Sequence, residues 1–182
     1  MNSKLKLILW ILVAVILFCA AIFAYNSLSG MYSPQIQGSK TPVKSSKAED
    51  FTVVNGNGER VSLSQMTGKG VVVNFWASWC PPCKAELPDF EKLYKEIGDE
   101  VEFMIVNMTD GMQETVEKGK SHIEENGYTF PVYYDTEQSA AMAYGVTSIP
   151  QTYFIDKNGN VVSKANGMID YETLKQGIEM IK

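Results

Sequence analysis

The chain has 182 residues, enough for one domain with a full core and an appendage. Its net charge is −5, and the lysines before Ala48 (Lys4, Lys6, Lys40, Lys44, Lys47) stand there without an acid, so the remainder is more acidic than the whole. That balance excludes nucleic acid as a partner, and the three cysteines, two in one short motif, leave none for structural bridges. Lys4 and Lys6 precede an uncharged apolar run, Leu7 to Tyr25, which at ~1.5 Å per residue is long enough to cross a bilayer. It predicts a signal-anchor transmembrane helix over 1–25, with the lysines held in the cytoplasm and the rest of the chain outside. A cleaved signal peptide is the alternative, but its apolar region is usually shorter and Ile22-Phe23-Ala24 is a weak cleavage site. Cys19 reads as a membrane-packed thiol. Phe18 stands where a lipoprotein signal wants a small residue. The segment 26–47, with Ser, Gly, Pro and Lys and few large apolar residues, reads as a flexible linker.

From Ala48 the pattern changes to that of a folded domain, 48–182. Phe51 to Ser62 predicts a hairpin about Asn55-Gly56-Asn57-Gly58, and Leu63 to Met66 one helical turn. Val71 to Trp76 is β-branched and aromatic enough for a buried strand. After a short turn and Cys80-Pro81-Pro82-Cys83, a helix is expected from Pro81 to Ile97, since proline is tolerated in a first turn. Pro88 predicts a kink in it, and Gly98 ends it. Val101 to Asn107 is a second apolar strand. Met112, Val116, Gly119 and Ile123 recur at helical spacing, closed by Asn126-Gly127. Val132 to Tyr134 reads as a strand and Gln138 to Tyr144 as a short helix. Gln151 to Ile155 and Asn160 to Lys164 pair across Asp156-Lys157-Asn158-Gly159, and Asp170 caps a last helix, Tyr171 to Ile181. There are no internal repeats. The order argues for an α/β sheet with parallel central strands, closed by an antiparallel hairpin.

The chemistry concentrates at the strand-to-helix turn. Cys80 falls at the helix N-terminus and Cys83 one turn in, on the same side, so the sulfurs can meet, and the helix dipole favours a thiolate at Cys80. A dithiol so placed cycles by thiol–disulfide exchange. A zinc site would need two more ligands, and Cys19 and the single histidine, His122, do not supply them. Pro81 and Pro82 offer no N–H to a thiolate, which is favoured less for it. Glu86, three residues after Cys83, lies beside it on the helix; a solvated helix carboxylate is the alternative. Trp76 is expected in the core and Trp79 on a docking surface, with simple packing the alternative for both.

WCPPC after a hydrophobic strand, with Ile149-Pro150 ahead of another strand, resembles the thioredoxin superfamily. Within it the chain is most similar to the membrane-anchored, extracytoplasmic thiol-disulfide reductases of the TlpA/ResA type, over roughly Ala48 to Lys182. The resemblance implies a thioredoxin-like α/β fold with an N-terminal β-hairpin and a central helix-strand insert at Met112 to Tyr134, preceded by one transmembrane helix. It implies a redox-active disulfide between Cys80, the exposed nucleophile, and Cys83, which resolves the mixed disulfide, with no cofactor. It implies a cis bond at Ile149-Pro150 against the disulfide, beside exposed backbone that pairs with an extended substrate peptide; a trans proline opening a strand is the alternative. Trp79, Pro81, Pro82, Ile149, Pro150 and Gly167 are then the substrate-binding residues, although Gly167 could equally be a turn glycine. Asn74 departs from thioredoxin, which has an aspartate there as proton acceptor beneath the second cysteine. TlpA/ResA-type reductases carry a glutamate matching Glu86 that influences the cysteines' ionisation, so Glu86 is expected to handle the proton.

The same resemblance implies a single-pass protein of the cytoplasmic membrane with its domain on the extracytoplasmic side. Its substrates would be disulfides of extracytoplasmic proteins, such as the CxxCH disulfide of apocytochrome c during cytochrome c maturation, with electrons from a CcdA-type membrane partner. A disulfide-forming oxidase or isomerase would use the same residues and differ in redox potential. A thiol peroxidase is disfavoured because Ala77 stands where peroxiredoxins carry threonine, and a non-catalytic binding domain because WCPPC is intact.

Overall fold

The structure is a computed structural model and describes residues 3–29, 46–66 and 68–182. Helix α1 (Ser3–Ser29) forms a unit of its own. Among the described residues no helix is long and apolar enough to cross a membrane; a span needs about 20 apolar residues. The transmembrane helix expected over 1–25 therefore gains no support from the fold. The linker expected over 26–47 lies mostly outside the described residues; its first four residues, 26–29, continue α1, and its last two form a strand, β1 (Ser46–Lys47), paired with Val161 and Asn160.

The second unit is built on a sheet. Its further strands are β2 (Thr52–Asn55), β3 (Arg60–Ser62), β4 (Gly70–Trp76), β5 (Val101–Asn107), β6 (Val132–Tyr134), β7 (Gln151–Ile155) and β8 (Asn160–Asn166). Among the described residues they lie in the order β1-β8-β7-β4-β5-β6-β2-β3. β4, β5 and β6 are parallel, β7 and β8 add antiparallel on one side, and the β2–β3 hairpin pairs antiparallel with β6 on the other. This is the expected α/β architecture, with the N-terminal hairpin joined to the strand of the insert.

β4 is buried on both faces, as a central strand with a nearly continuous apolar run should be. Val71, Val73 and Phe75 pack with Phe51, Leu63, Met104 and Tyr153, and with Ala140 of α4 (Ser139–Tyr144). On the opposite face Val72 and Trp76 pack with Leu87, Phe90 and Leu93 of α2 (Pro81–Ile97) and with Leu174 and Ile178 of α5 (Tyr171–Glu179). Each large apolar side chain so buried stabilises the fold by about 1.5–3 kcal/mol. α5 can approach this closely because Gly177 faces Phe154, where a Cβ would fall 2.2 Å from the ring. Asp170 caps α5 as expected, accepting from Thr173 N–H at 2.9 Å.

α2 spans Pro81–Ile97 as expected, with Pro88 inside it on its exposed side, where water can satisfy the carbonyl that loses its partner. One local expectation changes. The helix expected from Met112 starts later, as α3 (Val116–Asn126), and Met112 is exposed. Asp110 is the reason. Its Oδ1 accepts from the N–H groups of Met112 (2.8 Å) and Glu114 (2.9 Å), which folds that stretch into a turn, and Thr115 then caps α3.

Candidate active site

Cys80 closes the turn that leaves β4, its N–H donating to the Ala77 carbonyl at 3.1 Å. It is the N-cap of α2, and its sulfur accepts from Cys83 N–H at 3.3 Å. Pro81 and Pro82 fill the first helical positions, where no intrahelical donor is missed. Cys80 and Cys83 are joined in a disulfide with their Cα atoms 5.3 Å apart. Both are buried, at 3% and 0% exposure. Cys80 is thus not the exposed residue the resemblance implies, because its neighbours cover it. The surface over it belongs to Trp79, 45% exposed, and to the exposed prolines Pro81 and Pro82. The Ile149 carbonyl oxygen lies 3.9 Å from the Cys80 sulfur.

Ile149-Pro150 is cis. The Pro150 carbonyl accepts from the N–H of Gly167, whose φ of +88° favours glycine. The loop before β7, the loop after β8 and the start of α2 therefore meet at one place, which brings together Cys80, Cys83, Ile149, Pro150 and Gly167. Trp79 and Ile149 also line an open groove with Met108, Asp110 and Val146.

Beneath the disulfide lies a buried acid. Glu86, one turn beyond Cys83, is 1% exposed, so it is not a solvated helix carboxylate. Its Oε1 accepts from Asn74 Nδ2 at 2.8 Å and its Oε2 from Ile169 N–H at 3.0 Å. Burial pushes its carboxyl up to about 8, against the pull of the Ile169 and Asn74 donors and with a small addition from Asp89. Asn74 also donates to Thr152 Oγ1 at 3.0 Å, while its Oδ1 has no partner.

The AhpC/TSA family model matches residues 45–164 of this chain. The thiol-disulfide oxidoreductase ResA of Bacillus subtilis is 31% identical over the whole of this chain and 97% of its own length. The chain belongs to the AhpC/TSA family. It is a thiol-disulfide oxidoreductase of the ResA type. Two solved structures carry the same fold. A thiol:disulfide interchange protein DsbE from Chlorobium tepidum is 28% identical, with a TM-score of 0.68 over 78% of this chain and 99% of its own. StoA from Bacillus subtilis is 29% identical, with a TM-score of 0.63 over 71% and 96%.

Around this ResA-type pair stand residues that the sequence did not single out. Thr152 anchors the Asn74 amide. Glu91 on α2 accepts from Thr129 N–H (2.7 Å), Thr129 Oγ1 (2.8 Å) and Phe130 N–H (3.3 Å), which ties the strand of the insert to the active-site helix. Glu114 bonds the turn before Cys80. Thr152 follows Ile149-Pro150 by two residues, and Glu91 and Glu114 lie in no recognisable motif. His122, the single histidine, packs on Trp76 with ring centroids 5.7 Å apart, and burial holds its pKa down.

Proposed function

We propose that this oxidoreductase is a membrane-tethered reductant of disulfides in extracytoplasmic proteins, with the CxxCH disulfide of an apocytochrome c as the substrate class and a CcdA-type membrane protein as electron donor. In the reduced protein the Cys80 thiolate attacks one sulfur of the substrate disulfide. That bond breaks, the leaving thiolate takes a proton, and a mixed disulfide with Cys80 remains. Cys83 gives its proton to Glu86 and attacks the Cys80 sulfur. The Cys80–Cys83 disulfide forms, and the second substrate thiolate leaves and is protonated. Two electrons pass to the substrate, and the donor's dithiol restores them by the reverse sequence. Trp79, Pro81, Pro82, Ile149, Pro150 and Gly167 form the surface on which the substrate segment lies, with the backbone beside Pro150 pairing to it. The tether is supported by the uncharged run Leu7 to Tyr25 and by a relative matched over this chain's whole length.

The observation that carries the reductive direction is the donor set at Cys80. Pro81 and Pro82 offer no N–H, and Cys83 N–H is the single backbone donor to the Cys80 sulfur among the described residues. Strong oxidants of this kind owe their power to a heavily stabilised thiolate. Here that stabilisation is small, so the disulfide is hard to reduce and the dithiol gives up electrons readily. Equilibration of the full chain with dithiothreitol buffers, read by thiol trapping, should give a potential near about −270 mV and far from about −120 mV. A value above roughly −180 mV would turn the assignment to an oxidase or isomerase.

A further inference from the structure

The turn between β5 and α3 carries a buried acid that the exchange reaction does not use. Glu114 is fully buried although its neighbours Gly111, Met112 and Gln113 are exposed. Its Oε1 accepts from Ser78 N–H at 3.1 Å and from Asn107 Nδ2 at 2.7 Å, and its Oε2 from Ser78 Oγ at 2.7 Å. Both oxygens accept, which is the bonding of a carboxylate. No ion pair neutralises it among the described residues.

The surroundings are built to hold that group. The N–H groups of Asp110 and Gly111 donate to the Glu114 carbonyl, and Glu114 N–H donates back to Asp110 Oδ1. Thr109 Oγ1 donates to Asn107 Oδ1 at 2.8 Å, which fixes the amide with its nitrogen toward Glu114. Ser78 stands two residues before Cys80 in the turn that ends at the disulfide. At no more than ~3.5 Å per residue, the carboxylate lies within roughly 10 Å of the Cys80 sulfur.

We propose that Glu114 is a positioning residue for the exchange at Cys80: it fixes the turn that presents Cys80 and Trp79, and its charge opposes the Cys80 thiolate. This rests on Cys80 being the attacking thiol. A charge at that distance, partly shielded by protein, changes a thiol's ionisation about two- to tenfold. The other titratable or charged groups around the turn include Lys84 and Glu86 on α2, His122, Glu124 and Glu125 on α3, Tyr134 on β6 and Asp110 in the same loop as Glu114; the loops at Ile149-Pro150 and at Gly167 to Ile169 bring none.

Two substitutions separate charge from packing. Glu114→Gln keeps the reach and the acceptor for Ser78 N–H and Asn107, and its amide can donate to Ser78 Oγ, but the charge is gone. Ser78→Ala keeps the charge and removes one donor that neutralises it. The readout is the pH profile of iodoacetamide alkylation at Cys80 in the reduced full chain, with the modified peptide identified by mass. Below the midpoint, Glu114→Gln should raise the reactive thiolate fraction about two- to tenfold, and Ser78→Ala should lower it. A packing role moves both variants the same way. That result, or profiles unchanged from the parent, overturns the inference. Should Glu114→Gln fail to fold, Ser78→Ala is read together with its thermal denaturation: a lowered fraction with an unchanged Tm supports the inference, and any other result overturns it. A parent Cys80 that resists alkylation at every pH would overturn the exchange reading itself, and this inference with it.

Discussion

Replacing Glu86 with glutamine should abolish a pH dependence of stability that one carboxyl creates. Burial lifts Glu86 from an ordinary 4.5 to about 8 in the folded chain. Between those values the folded state holds a proton that the unfolded state has released. The stability is therefore fully present below about 4.5 and is lost as pH rises through about 8. At about 1.36 kcal/mol per pH unit, going from pH 6 to pH 9 costs about 2.5 kcal/mol. For a chain of this size that is a fall of roughly 5–10 °C in Tm. Glutamine does not titrate, so the variant's Tm should stay nearly level. The site can receive it: the new Oε1 accepts from Ile169 N–H, and the new Nε2 donates to Asn74, whose amide turns to present the oxygen that now lacks a partner. The assay is thermal denaturation of the oxidised full chain by Trp fluorescence at both pH values, since the disulfide keeps the thiols from titrating. His122, held low by burial, affects parent and variant alike and cancels in their difference. Parallel pH curves for the two proteins would refute the reasoning.

The division of labour between the cysteines is open to trapping. Cys83→Ser should accumulate mixed disulfides through Cys80, because no thiol remains to resolve them, while Cys80→Ser should trap few; equal yields would reject the assignment. Glu91→Ala should destabilise the domain by about 2–3 kcal/mol in urea denaturation at pH 7, because Thr129 and Phe130 lose their buried acceptor. Burial raises the Glu91 carboxyl, but Lys95 and the Thr129 and Phe130 donors outweigh it and hold it low, so this stabilisation is lost as pH falls and the variant's deficit should shrink toward pH 3–4. In cells whose outer face is open to protease, the domain should be digested while a cytoplasmic marker survives. Protection equal to the marker's would overturn the extracytoplasmic placement of the domain.

The elements that could be read from sequence were those whose causes are local. Val71 to Trp76 announces a buried strand by its side chains alone, and β4 is buried along its length. Asn126-Gly127 closes α3 because Gly127 adopts a left-handed conformation at its end. The start of α3 is not legible in the sequence because Met112, Val116, Gly119 and Ile123 keep a helical spacing while the Asp110 carboxylate accepts from the N–H groups of Met112 and Glu114. Periodicity sees the apolar side chains and not that competition. The two cysteines, the cis proline and Glu86 were legible from a motif and its resemblance. Glu114 was not. Its partner Ser78 lies 36 residues away, and only the parallel pairing of β4 with β5 brings the two loops to the same end of the sheet.

Asn74 shows how the site's departures fit together. Taken by itself, an asparagine beneath the second cysteine is the loss of a proton acceptor. In the fold its Nδ2 donates to Glu86 and to Thr152, so the acid has been moved from the strand to the helix rather than removed. The amide is what permits the move. An aspartate at position 74 would set two carboxyls within hydrogen-bond reach in a buried space, where both could not ionise, and would leave Glu86 without that donor. An asparagine can instead serve Glu86 in either protonation state: the nitrogen donates to the carboxylate, and the amide turned over accepts from the protonated acid. The side chain that stands where thioredoxin has an acid is therefore a hydrogen-bond partner for the buried acid one turn beyond Cys83, whichever protonation state that acid holds.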